Sequence, residues 1–121
     1  MDIQKQYSAF VRVFFPKFSR EEIVREIERC VRKFHESLGL CKVILFGSYA
    51  RGNYTVASDI DILIVYDDKK CNENEIRKTL MKNIKLPRVE LHILSIESFN
   101  ASCGLRWIKT IENEGIKILN K

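Results

Sequence analysis

Two aspartates one residue apart, Asp59 and Asp61, constrain what this chain can fold into more than any other feature. The residues that follow them, 62–65, are Ile-Leu-Ile-Val, which is typical of a strand covered on both faces. On a strand, residues two apart point to the same face of the sheet. Two carboxylates on one face repel each other and are costly to bury unless a cation compensates them. The pair therefore predicts a cation site at the start of a central strand, which we place at residues 59–66.

A Gly-Ser step, Gly47-Ser48, precedes the aspartate pair with ten residues between them. It follows the apolar segment 42–46, which we interpret as a short buried strand. Glycine allows a sharp turn or a close approach of the backbone to a ligand. We expect Ser48 to cap a short helix over residues 49–51, whose first N–H groups would be unpaired and able to bind a phosphate.

The remaining chain has the periodicity of alternating helices and strands. The spacing of apolar residues predicts a helix over residues 19–38, begun by a capping box of Ser19 and Glu22 and ended by Gly39. Asn72 is expected to cap a second helix that Pro87 prevents from continuing. We further predict a strand over residues 89–94, helical segments over 95–102 and 105–113 with Leu105, Ile108 and Ile111 facing the core, and a final strand over 116–119.

The chain has the length and composition of one globular domain. It has 121 residues, of which 45% are hydrophobic and 31% charged. No apolar run approaches the roughly 18 residues of a membrane span, and the N-terminus has no secretory signal pattern, so we expect a cytoplasmic protein. The four cysteines contain no C-x-x-C pair and are interpreted as reduced thiols. A net charge of +5 favours an anionic partner such as a nucleotide.

The N-terminal residues 1–18 are expected to form an arm separate from the domain at residues 19–121. The arm either folds back over the core or docks a partner protein, because small domains rarely leave so much aromatic surface exposed without a use. Its apolar residues are Tyr7, Phe10, Val11, Val13, Phe14, Phe15 and Phe18.

A third carboxylate, Glu90, lies within the predicted strand 89–94, which we expect to be buried. Taken alone, it is as easily a strand-end residue or an ion-pair partner as a ligand. Beside the aspartate pair on a neighbouring strand, it becomes the natural third ligand. His92 shares its face, and we interpret it as a structural histidine with its hydrogen bonds satisfied. Trp107 is ambiguous between core and interface.

The order of these residues resembles that of a known enzyme family. Gly47-Ser48, ten residues and then Asp59-Ile60-Asp61 closely resemble the signature of the minimal nucleotidyltransferases (MNT) of the DNA polymerase β superfamily. The resemblance covers roughly residues 20–119. It implies an α/β (α+β) fold, namely a small mixed β-sheet with helices packed mainly on one face.

The resemblance also implies roles for particular residues. Asp59, Asp61 and Glu90 would be catalytic and hold two Mg²⁺ ions against the triphosphate of a nucleotide. Gly47 and Ser48 would hold its β- and γ-phosphates, with help from Arg51. The family most often has aspartate where this chain has Glu90, which is longer by one methylene group. Since Mg²⁺ demands tight octahedral geometry, the second metal position is expected to be displaced or weak.

The family further implies a reaction and a partner. Similar minimal nucleotidyltransferases are antitoxins paired with a small helical HEPN toxin, and some transfer AMP from ATP to a tyrosine of that toxin. We therefore expect an enzyme that transfers AMP to a hydroxyl of a partner protein and acts as an antitoxin. Two alternatives stay open: a binding module that neutralises a HEPN toxin by occlusion, and nucleotidyl transfer to RNA or a small molecule. No membrane partner and no direct nucleic-acid binding are expected, and homo- or hetero-oligomers are both compatible with the sequence.

Overall fold

A mixed four-stranded sheet forms the centre of the computed structural model, which describes residues 18–121. The strands are ordered β3-β2-β1-β4 across the sheet. Residues 1–17, and with them nearly all of the predicted aromatic arm, lie outside the described residues. The strands are β1 (Leu40–Phe46), β2 (Ile60–Tyr66), β3 (Val89–Ser95) and β4 (Ile116–Asn120).

The described part of the chain also contains five helices, of which the first precedes β1 and the others connect strands. They confirm each helical segment that the periodicity predicts, with ends that differ by one to four residues. None of them combines the length and apolarity that a membrane span requires. The helices are α1 (Arg20–Phe34), α2 (Ser48–Arg51), α3 (Glu73–Asn83), α4 (Ile96–Ser102) and α5 (Arg106–Glu114).

The starts of α1 and α3 are the ones that their capping residues predict. The Ser19 hydroxyl accepts the Glu22 N–H at 3.2 Å, and the Glu22 carboxylate accepts the Ser19 N–H at 3.1 Å, which completes the capping box. The Asn72 side chain accepts the Glu75 N–H at 2.9 Å. The end of α1 is less accurately predicted: the helix ends at Phe34, and the chain reaches Gly39, with φ of 64°, through four further residues.

Strand pairing brings three strand ends together. β1 is antiparallel to both β2 and β4, whereas β2 and β3 are parallel and joined through α3. Phe46, the last residue of β1, is paired with Asp61, and Asp61 is paired with Glu90 of β3. One row across the sheet therefore contains the end of β1 and the beginnings of β2 and β3.

Helices cover the two faces of the sheet unequally. The larger apolar cluster joins α1 and α3 to the face that contains Ile60, Ile62 and Ile64. A smaller cluster joins α4 and α5 to the opposite face. The mixed sheet is thus confirmed; its helices lie on both faces, with the larger apolar cluster on one face and the smaller on the other. The buried residues of the smaller cluster are Ile44, Leu63, Val65, Phe99, Ile108 and Ile111.

Two burial predictions are wrong. Leu105 is 52% exposed instead of facing the core, because it lies one residue before α5 and outside its buried stripe. Glu90 is exposed because β3 is an edge strand of the sheet. Trp107, which the sequence left ambiguous, is 44% exposed and so belongs to the surface of α5.

All four cysteines are free thiols, in agreement with the sequence. Cys30 is buried in the larger cluster, and burial raises the pKa of its thiol. Cys103 is exposed at the end of α4. The thiols therefore act as ordinary core and surface residues.

We predict that Gly115→Ala destabilises the fold by about 2 kcal/mol or more, since a new Cβ there would collide with the Ile44 side chain and the Ile111 carbonyl oxygen. Gly104→Ala is the matched control, because nothing lies within 4 Å of a Cβ at that position. Urea unfolding should give a lower midpoint for Gly115→Ala and a nearly native midpoint for Gly104→Ala. Equal midpoints would contradict the close packing of Gly115 between α5 and β1.

Candidate active site

A group of polar side chains lies where β2 and β3 begin. Asp61 is paired with Glu90, and Leu63 with His92. The carboxylates of Asp61 and Glu90 and the imidazole of His92 therefore lie on one face of the sheet. It is the face that carries Leu63 and the α4–α5 layer. Buried apolar residues thus cover this face towards the end of β2, and the polar group lies at the beginning of β2 and β3.

Asp61, Glu90 and His92 lie close enough to share one cation. One ligand atom from each lies within 4.8 Å of those of the other two, and the Asp61 Oδ1 atom is 3.5 Å from His92 Nε2. The side chains of Asp61 and His92 are 24% and 35% exposed, so the group is open to solvent from one side. Carboxylate oxygens suit hard divalent cations, and the arrangement can therefore hold one.

Asp59, the other member of the aspartate pair, is not part of this group. It lies one residue before β2 and is exposed, with its Oδ1 atom 3.9 Å from the Arg88 guanidinium. The Arg88 carbonyl accepts the Ile60 N–H at 2.9 Å, and its guanidinium donates to the Ala57 carbonyl at 3.1 Å. Sequence reasoning missed Arg88, although its place directly before the predicted third strand could have indicated it.

Gly47 packs its backbone against Asp61. Its φ of 77° lies in the left-handed region that favours glycine, and a Cβ there would be 2.6 Å from Asp61 Oδ2. A side chain at this position would therefore strain the backbone and displace the Asp61 carboxylate. Because Gly47 is the N-cap of α2, the prediction that Ser48 caps this helix is wrong: Ser48 is its first residue. The first N–H groups of α2 still begin beside Asp61, as the sequence predicts.

Buried aromatic packing holds α2 in place. The ring of Tyr49 is buried and stacks on Tyr54, with ring centroids 4.3 Å apart, and burial raises the pKa of the Tyr49 hydroxyl. The Tyr54 hydroxyl accepts the Arg20 N–H at 3.4 Å, and the Arg20 guanidinium donates to the Ala50 carbonyl at 3.2 Å. The start of α1 thereby supports the turn that faces the site.

Arg51 points from the end of α2 towards α5. Its guanidinium is 3.8 Å from Glu114, and both side chains are about half exposed. Ion pairs of this kind contribute little to stability because water and salt screen them. The guanidinium can therefore leave Glu114 for a stronger anion such as a phosphate.

His92 does not have the satisfied hydrogen bonds that we expected. Its Nε2 atom is buried yet has no hydrogen-bond partner among the described residues. The ring of Phe46 packs edge-on against the imidazole, with centroids 5.1 Å apart. The i, i+2 spacing of Glu90 and His92 indicates that both side chains face the same site. Interpreting His92 as a structural residue overlooked this signal.

An apolar groove adjoins the polar group. Its volume is about 540 Å³, and Phe46 forms the wall nearest to His92. The exposed side chains of Leu105 and Trp107 form much of its other wall. The lining residues are Phe46, Leu105, Arg106, Trp107, Thr110 and Ile111.

The chain belongs to the nucleotidyltransferase domain family, which residues 13–118 match. Three proteins of Methanocaldococcus jannaschii are similar in sequence. "Putative protein adenylyltransferase MJ0141" is 32% identical over 101 residues, which are 80% of this chain and 96% of that protein. MJ0604, named in the same way, is 47% identical over 49 residues, 40% of this chain and 48% of its own length. MJ1305, again with that name, is 30% identical over 91 residues, 65% of this chain and 60% of its own length.

Two solved structures share the fold. A "putative nucleotidyltransferase" from Sulfolobus solfataricus superposes with a TM-score of 0.55 at 23% identity, covering 81% of this chain and 80% of that one. The crystal structure of a toxin–antitoxin with AMP-PNP gives a TM-score of 0.54 at 19% identity, covering 81% and 73%. The mixed sheet and its helices therefore form a nucleotidyltransferase fold.

We predict that Gly47→Ala abolishes the rise in Tm that a divalent cation gives the native chain, because the new methyl group displaces Asp61. Gly52→Ala is the matched control. Gly52 also has a positive φ, 85°, but a Cβ there meets only the Arg20 guanidinium at 3.6 Å. Backbone strain should cost Gly52→Ala about 1–2 kcal/mol, and Gly47→Ala, with ψ of −152°, about 1–3 kcal/mol. A native-sized cation response in Gly47→Ala, measured by thermal unfolding with and without MnCl₂, would contradict the dependence of Asp61 on this turn.

Proposed function

We propose that this chain transfers AMP from ATP to a hydroxyl of a partner protein, with Mg²⁺ as cofactor, and serves as the antitoxin of a HEPN/MNT toxin–antitoxin pair. The observation that carries the proposal is the contact of the Gly47 turn with Asp61. This contact sets the turn proposed to bind phosphates beside the carboxylate proposed to bind a cation. Membership of the nucleotidyltransferase domain family supports the class of reaction.

Gly47, Ser48 and Arg51 form the proposed nucleotide-binding half. The unpaired N–H groups at the start of α2 would donate to the β- and γ-phosphates, and glycine lets these phosphates approach the backbone closely. Arg51 would neutralise part of their charge once it leaves Glu114. Each of these contacts favours the triphosphate over an uncharged ligand.

Asp61 and Glu90 would hold the cation, with Asp59 reaching it after release from Arg88. The donor set fits a divalent ion, because two carboxylates meet on one face with no cation of the described chain within ion-pair distance of Glu90. Exposure on the edge strand lets the Glu90 side chain adjust for its extra methylene group. When bound, Mg²⁺ supplies charge neutralisation for the entering and leaving oxygens.

The proposed reaction is an in-line displacement at the α-phosphorus. A bond forms between the acceptor oxygen and that phosphorus, the bond to the β-phosphate bridging oxygen breaks, and pyrophosphate leaves. The hydroxyl proton passes to solvent or to a nearby carboxylate, for which Glu90 is placed at the open side of the site. No histidine or cysteine nucleophile is needed.

A protein acceptor is supported by the names of the three relatives and by the surface beside the site. The groove formed by Phe46, Leu105 and Trp107 is apolar and exposed, and one of its walls contacts His92. A protein that buried Trp107 would bring its own side chains to the cation site. The toxin–antitoxin structure with the same fold supports a toxin as that protein.

Replacing Asp61 by Asn is expected to reduce AMP transfer at least about 100-fold, because the variant keeps the shape and loses the charge that holds the cation. Asp68→Asn, an equal change in an exposed residue beyond the far end of β2, should keep native activity. The measurement follows label from α-³²P-ATP into the purified product of the neighbouring gene, with Mg²⁺ and with EDTA. Equal neutralisation of that protein by native and Asp61→Asn chains, without label transfer, would establish occlusion instead.

We expect Trp107→Ser to lower the affinity for the acceptor protein about tenfold or more, since buried tryptophans dominate protein interfaces. Met81→Ser is the control, because Met81 is 48% exposed on α3, which packs on the opposite face of the sheet. Calorimetric titration of the acceptor into each variant measures the affinity. A loss in Met81→Ser, with Trp107→Ser unchanged, would place the acceptor on the other face.

A further inference from the structure

His92 contributes a nitrogen atom to the polar group of Asp61 and Glu90, and the proposed reaction gives this nitrogen no role. Glu90 and His92 lie on the same face of β3, and His92 is paired with Leu63, the second residue after Asp61. The Nε2 atom lies 3.5 Å from Asp61 Oδ1 and within 4.8 Å of a Glu90 carboxylate oxygen. Its lone pair and the two carboxylates therefore border the same space.

The Nε2 atom is also buried without a hydrogen bond among the described residues. An unsatisfied buried polar atom destabilises the folded state, and each one calls for an explanation. The edge-on contact with Phe46 restrains the imidazole ring in this orientation. Among the described residues the nitrogen has only the ion-pair contact with Asp61 at 3.5 Å, and a cation between the two atoms would take the place of that contact.

The spacing of the two atoms suits a shared metal ion. With metal–ligand bonds of about 2.1 Å, neighbouring ligand atoms are about 3.0 Å apart in octahedral and about 3.4 Å apart in tetrahedral geometry. The 3.5 Å between Asp61 Oδ1 and His92 Nε2 needs little movement to match either. At 3.5 Å the same two atoms form no direct hydrogen bond.

We propose that His92 is a ligand of the cation held by Asp61 and Glu90, which raises the affinity of this position for first-row transition ions while Mg²⁺ binds through the carboxylates. The proposal rests on the proposed function, because it uses the same two carboxylates. Imidazole nitrogen prefers transition ions, whereas Mg²⁺ prefers all-oxygen ligands. Mn²⁺ is the most demanding probe of this preference, since it is the weakest binder in the divalent series from manganese to copper.

The test compares Mn²⁺ and Mg²⁺ binding to the untagged, metal-free full chain by calorimetry. His92→Ala should weaken Mn²⁺ binding about tenfold or more and change Mg²⁺ binding less than about threefold. His35→Ala is the matched control: within residues 18–121, His35 also has a buried ring nitrogen without a hydrogen-bond partner, but it follows α1 at the opposite end of the sheet. It should change neither affinity.

Pulsed electron paramagnetic resonance gives a second readout that does not depend on activity. Mn²⁺ bound to the native chain should show ¹⁴N coupling from a coordinated imidazole, and His92→Ala should lose it while His35→Ala keeps it. Tight Mn²⁺ binding without this coupling, or equal Mn²⁺ affinity in His92→Ala, would overturn the ligand role and leave the proposed function intact. Absence of all cation binding in the native chain would overturn both.

Discussion

The register between the three neighbouring strands β1, β2 and β3 is the constraint on which the site depends. It sets Phe46, Asp61 and Glu90 in one row across the sheet. Because side chains alternate between faces, a slip of one residue in β2 would turn Asp61 into the larger apolar cluster and bring Ile62 to the surface. Burial of Ile60, Ile62 and Ile64 opposes that slip. The apolar face of β2 thus determines the position of its only carboxylate, Asp61.

Most of the fold could be predicted from sequence because local signals and burial patterns agree. The capping residues Ser19 and Asn72, the apolar run of β2 and the stripe of α1 each depend on neighbours within a few positions. Burial of single residues was harder to predict. Among residues 18–121, β3 has a neighbouring strand on one side only, and Glu90 is exposed there; the order of strands in a sheet cannot be read from the sequence of a single strand.

Part of the candidate site could also be predicted from signals that are local in the sequence. The spacing of Gly47 and Asp61 was enough to bring the turn and the carboxylate together, since Gly47 follows the end of β1 and Asp61 lies at the start of its antiparallel neighbour β2. The separation of Asp59 from the group could not be predicted, because it depends on Arg88, which only the parallel pairing of β2 and β3 brings beside it. The unpaired nitrogen of His92 likewise depends on where Phe46 and Asp61 lie in space.

The smaller of the two apolar clusters attaches the α4–α5 layer to the sheet, and its size affects how readily this layer opens. Only a few buried side chains attach it to the sheet, whereas α1 and α3 share the larger cluster on the other face. Regions with few buried apolar contacts open at a lower free energy than the molecule as a whole. The backbone amides of α5 should therefore exchange with solvent before those of β1 and β2. One wall of the groove can open and close while the turn at Gly47 and the carboxylate of Asp61 keep their places.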